Sequence, residues 1–88
     1  MKRVKILISG NVTGVFFRRF VRVNAEKLDL KGYVRNIDDK VEAVFEGDNK
    51  QIDKIIELCK QGPSGSKVDN VDVKEEEYKG EFDSFEQR

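Results

Sequence analysis

The sequence contains no histidine, one cysteine (Cys59) and one proline (Pro63) among its 88 residues. The missing histidine removes the commonest general base and the commonest metal ligand. A lone cysteine excludes an intrachain disulfide, so the chain is expected in a reducing compartment, most simply the cytoplasm. No apolar run is long enough for a membrane span. The opening MKRVKILISG is not read as a signal peptide, because its short apolar stretch is broken by Lys5 and Ser9. Charge of one sign is lacking too. Lys and Arg number 17, Asp and Glu 17, so no global field draws the chain to nucleic acid or a membrane. Repeats, linkers and low-complexity segments are absent, and one domain over 1–88 is expected.

What is present is alternation and helical periodicity. Val4, Ile6 and Ile8 alternate as a half-buried strand does. After Gly10–Gly14 the spacing of Phe17, Phe20, Val21, Ala25 and Leu28 becomes that of one helical face, with Gly32 as the expected stop. Tyr33–Val34 begin a second strand, Asn36–Lys40 read as a turn, and Val41, Ala43 and Phe45 as a third strand. Asp48 or Asn49 can cap a second helix carrying Ile52, Ile55, Ile56 and Cys59, which Gly62-Pro63 closes. Val68, Val71 and Val73 suggest a fourth strand. Tyr78, Phe82 and Phe85 suggest a tail that docks on the core. The order β-α-β-β-α-β is that of an α+β, ferredoxin-like sandwich, an antiparallel sheet with two helices on one face. In it the first and second strands run parallel with the third between them. Arg18 and Asn36 then converge at one edge, about 9 to 10 Å apart at strand spacing.

That edge carries GNVTGVFFRR, residues 10 to 19. Glycines let successive N–H groups turn inward, and such a concavity at a helix N-terminus binds phosphate. The helix has no acidic residue in its first turn, and Thr13 caps it poorly. An arginine fork suits phosphate oxygens. The plainer alternative is a glycine turn followed by Arg18, Arg19 and Arg22 on a solvated face. Asp38, Asp39, Glu46 and Asp48 show no calcium-loop spacing and are read as solvated turn carboxylates, so no metal is expected. Cys59, on an apolar face, is read as a buried small hydrophobe, and Phe16 and Phe17 as core and loop packing.

The stretch from Gly10 to Arg18 resembles the first signature of the acylphosphatase family, Gly-x-Val-Gln-Gly-Val-x-Phe-Arg. GYVRN (32–36) followed by VEAVFEG (41–47) resembles the second, and GPSGSKVDNVDV and GEFDSFE are similar to the family's late segments. The resemblance spans essentially the whole chain. It implies a cofactor-independent hydrolase that splits acyl phosphates into carboxylate and inorganic phosphate. In it Arg18, not Arg19, binds the phosphoryl group. Thr13, Gly14, Val15, Phe16 and Phe17 supply the phosphate-binding loop, and Asn36 positions the attacking water. Two departures stand out. Thr13 occupies the usual place of a glutamine, and the turn Ile37–Lys40 is one residue shorter, with Lys40 near an expected glycine. Asp38 or Asp39 can take the left-handed position there. Expected partners are a small acyl phosphate and the phosphate product, with no nucleic acid or membrane, and a monomer. The alternatives are a non-catalytic phosphate- or ligand-binding module of the same fold, or an RNA-binding one. The latter lacks net positive charge and an RNP-like aromatic pattern.

Overall fold

A computed structural model of the chain describes residues 1–14 and 16–88. The elements follow in the order β1 (Lys2–Asn11), α1 (Phe17–Lys27), β2 (Lys31–Ile37), β3 (Lys40–Gly47), α2 (Asn49–Gln61), β4 (Lys67–Glu76) and β5 (Phe85–Gln87). The sheet order is β4-β1-β3-β2-β5. Strand β3 runs antiparallel to both β1 and β2, so those two are parallel, as the sequence order implies. The core lies between the sheet and the helices. Val4, Ile6 and Ile8 of β1 meet Phe17, Val21 and Ala25 of α1 and Ile52, Ile55 and Cys59 of α2. No helix among the described residues is long and apolar enough to cross a membrane.

The structure departs from the sequence reading in four places. First, α1 does not run to Gly32. It ends at Lys27 with Leu28 as C-cap, and Asp29 (φ 57°) takes the left-handed position usually given to glycine. The Leu30 N–H reaches the Ala25 carbonyl at 2.9 Å and the Asp29 N–H reaches that of Glu26 at 3.1 Å, which closes the helix as a Schellman motif. Gly32 lies inside β2 instead. A Cβ there would stand 1.8 Å from the Val44 carbonyl oxygen, so the glycine answers to close strand approach. Second, Asn36 belongs to β2, and the turn is the two residues Asp38-Asp39, with Asp38 at φ 55°. Third, Phe16 is 80% exposed rather than packed. Fourth, β5 adds a fifth strand, parallel to β2, so the sheet is mixed.

The spacing of Val68 and Val71, odd for one face of a strand, is resolved by a bulge. Ser9 pairs with Asn70 and Gly10 with Val68, which leaves Asp69 as the extra residue. Both valines then pack on the core. A Cβ at Gly10 (φ 127°) would stand 2.1 Å from the Lys67 carbonyl oxygen. The face away from the helices is charged. Glu42 and Glu46 of β3 are 4% and 2% exposed, which requires partners. Glu42 accepts from Arg35 Nε (2.8 Å) and the Tyr33 hydroxyl (3.1 Å). Glu46 accepts from Arg3 and from three backbone N–H groups of residues 79–81.

Candidate active site

Strand β1 delivers the chain to a loop whose Val12 is fully buried. Gly14 (φ 73°) and Phe16 (φ 58°, ψ 26°) both adopt left-handed backbone before α1 starts at Phe17. Phe17 is 1% exposed, so the core fixes where the helix begins. Among the described residues no side chain caps α1, and its first turn holds no acid. The first intrahelical bond runs from the Phe20 N–H to the Phe16 carbonyl, 3.0 Å. The amides of Phe16 to Arg19 precede it, at the positive end of the helix dipole.

The residues that carry these amides, Phe16 to Arg19, line a cleft of about 220 Å³ together with Val12, Gly14, Asn36 and Gln87. That is below the roughly 300–1,000 Å³ of drug-sized sites, a size for a small ligand. Among the described residues, its charged side chains are those of Arg18 and Arg19, with no carboxylate side chain. Larger clefts exist, of about 600 Å³ around Arg3, Tyr33 and residues 81–88, and about 450 Å³ over Lys5, Leu7 and Asp38–Lys40. Both are lined by mixed acids and bases, and neither includes the start of a helix. Asp38 and Asp39 belong to the second of these, away from the loop.

Of the expected site residues, Gly14, Phe16, Phe17, Arg18 and Asn36 come together. Thr13 is half-buried and does not line the cleft. Val15 lies outside the described residues. Asn36 shares the helix-side face of β2 with buried Val34, two residues earlier. Arg18 is half-buried, and its Nη1 donates to the main-chain oxygen of Arg88 at 2.5 Å. That uses one of five N–H donors and fixes the head group. Arg19 is exposed and, among the described residues, its side chain has no hydrogen-bond partner. Arg22, one turn beyond Arg18, donates to Gln87 Oε1 (3.1 Å) and to Glu26 (3.0 Å). Gln87 was not legible as a site residue. The one hint was parity with Phe85, which stacks on Phe45 with ring centres 5.4 Å apart. Cys59 is excluded as a nucleophile, because burial pushes its thiol up to about 12.

The family model described as Acylphosphatase matches residues 4–87. An acylphosphatase of Syntrophus aciditrophicus is 48% identical over 86 residues, covering 97% of this chain and 90% of that one. One of Methanocella arvoryzae is 53% identical over 81 residues, with coverages of 91% and 92%. The crystal structure of acylphosphatase from Bacillus subtilis superposes with a TM-score of 0.96 at 35% identity, covering 100% of this chain and 99% of that one.

Proposed function

The chain belongs to the acylphosphatase family, and from that premise we propose that it hydrolyses acyl phosphates, with Arg18 and the loop amides holding the phosphoryl group and Asn36 placing the water. The observation that carries this reading is the uncapped start of α1, which shares one small cleft with Arg18 and Asn36 and, among the described residues, with no carboxylate side chain. A phosphoryl group supplies the acceptors that those amides lack. Of the residues the family signature puts in this loop, Gly14, Phe16 and Phe17 line the cleft and would form the cradle, and the remaining N–H groups of Arg18 close it.

An acyl phosphate has a good leaving group and passes through a loose transition state. Catalysis then rests on positioning and charge stabilisation. The Asn36 amide orients a water in line with the P–O bond to the acyl oxygen. The new P–O bond forms as that bond breaks. The carboxylate departs unprotonated, and a phosphoryl oxygen takes the water's proton, giving dihydrogen phosphate. None of these steps draws on a metal, a cofactor or a side-chain base. We further infer a single-domain monomer in the cytosol, where the buried Cys59 stays a thiol.

Benzoyl phosphate hydrolysis at neutral pH, followed with and without EDTA, tests the reading. We expect turnover that chelation leaves unchanged. Tight phosphate binding without turnover would identify a binding module instead. Activity lost to EDTA and restored by a divalent ion would overturn the metal-free mechanism.

A further inference from the structure

We propose that Gln87, turned by Arg22, is a second group that holds the attacking water, together with Asn36; this rests on the hydrolase reading above and on the place of Asn36 in it. Gln87 lines the cleft with Arg18 and Asn36, and Arg22 does not. The Gln87 Oε1 accepts from Arg22 Nε at 3.1 Å. Arginine carries only donors, so the amide must turn its oxygen to Arg22. Its Nε2, a donor only, is left for the cleft.

Strand positions say what stands next to that donor. Phe85 is part of the core, and Gln87, two residues on, shares its helix-side face of β5. Asn36 shares the helix-side face of β2 with Val34. Gln87 pairs with Val34 in the parallel ladder. At ordinary strand spacing and rise, the Gln87 and Asn36 backbones are then about 8 Å apart. Two amides that rise from one side of the sheet at this separation can share a water.

A water has two protons and two lone pairs. Attack on phosphorus uses one lone pair, and a phosphoryl oxygen takes one proton. Asn36 Oδ1 accepts the other proton. The second lone pair accepts from Gln87 Nε2, the one kind of bond this amide still offers the cleft. Together these contacts fix where the water stands and aim its attacking pair at phosphorus. Strand β5 lies beyond β2 as seen from β1 and its loop, so both amides stand on one side of the phosphoryl group. The acyl oxygen leaves on the other side, as in-line displacement requires. Gln87 is exposed, so the water is replaced from solvent after each turnover.

Gln87→Met keeps the length and removes the donor, and at an exposed position it leaves the core intact. We expect kcat to fall about tenfold, the size of one hydrogen bond. The factor should be the same for acetyl phosphate and benzoyl phosphate, because Gln87 touches the water and not the acyl group. KM and the inhibition constant of inorganic phosphate should stay within about twofold. Arg22→Leu should lower kcat in the wild-type background and add less than about twofold in Gln87→Met. In Asn36→Ala, where the water has already lost its place, Gln87→Met should likewise add less than about twofold. Unchanged kcat in Gln87→Met, or phosphate affinity falling as far as kcat, would overturn the assignment and leave the hydrolase reading in place. So would a loss confined to one of the two acyl phosphates, or full additivity with Asn36→Ala. Full additivity with Arg22→Leu would overturn the orienting role. A wild-type protein that does not turn over would overturn both readings.

Discussion

Phe16 and Phe17 are adjacent and chemically identical, yet one is 80% exposed and the other 1%. The left-handed backbone at Phe16 separates them, and the rotation of about 100° per helical residue separates the next pair. Arg18 is half-buried and anchored at Arg88, whereas Arg19 is exposed. Sequence reasoning could distinguish Arg18 from Arg19 only by the family signature, since their local chemistry is the same. Asn36 was legible from the sheet topology, which places it on the loop's edge. Gln87 was not, because its orientation depends on Arg22, 65 positions away. If Asn36 positions the water, Asn36→Ala should lower kcat about 100-fold, the scale of a misplaced reactant. Inhibition by inorganic phosphate should weaken less than about twofold. A parallel loss of phosphate affinity in steady-state assays would place Asn36 on the phosphoryl group instead.

Among the elements, β5 and the segment leading to it were the hardest to foresee. Three residues are too few to show alternation, and the strand forms because β2 offers a free edge. The bulge at Asp69 escaped notice for a related reason, since it answers to Gly10 on another strand. By contrast, the α2 N-cap was local and legible: Asp48 Oδ1 accepts from the Lys50 N–H at 2.9 Å. Residues 79–81 before β5 are tied down by Glu46, which accepts their N–H groups at 3.0, 3.1 and 3.2 Å and Arg3 Nη1 at 3.3 Å. This overturns the reading of Glu46 as a solvated turn carboxylate. Burial pushes the Glu46 carboxyl up, but those donors outweigh it and hold it below the usual carboxylate value. A depressed folded value means that its stabilisation is present above the unfolded value, about 4.3, and is lost as pH falls through the folded one. Glu46→Gln cannot titrate. It should cost about 2–3 kcal/mol at pH 7, with the gap to wild type narrowing in urea melts below about pH 4.3. A gap that stayed constant or widened in acid would contradict this role.

For the molecule as a whole, net charge concealed the feature that matters. Seventeen positive and seventeen negative residues cancel, while the charged side chains among the described residues of the cleft are those of Arg18 and Arg19. The fold produces that local excess by placing β1 and β2 parallel, so that their ends meet at one edge. An anion bound there has no counterpart in the unfolded chain, so it must stabilise the folded one. Phosphate at about ten times its Kd should add roughly 1.4 kcal/mol, or about 6 to 11 °C in melting temperature at roughly 4–8 °C per kcal/mol. Phosphate also stabilises proteins in general by exclusion from their surfaces, so the variants decide. The measurement is the melting temperature against phosphate concentration for wild type, Arg18→Ala and Arg19→Ala at constant ionic strength. A saturable rise in wild type and Arg19→Ala, largely lost in Arg18→Ala, is the predicted result; an equal, non-saturating rise in all three would contradict a phosphoryl cradle closed by Arg18.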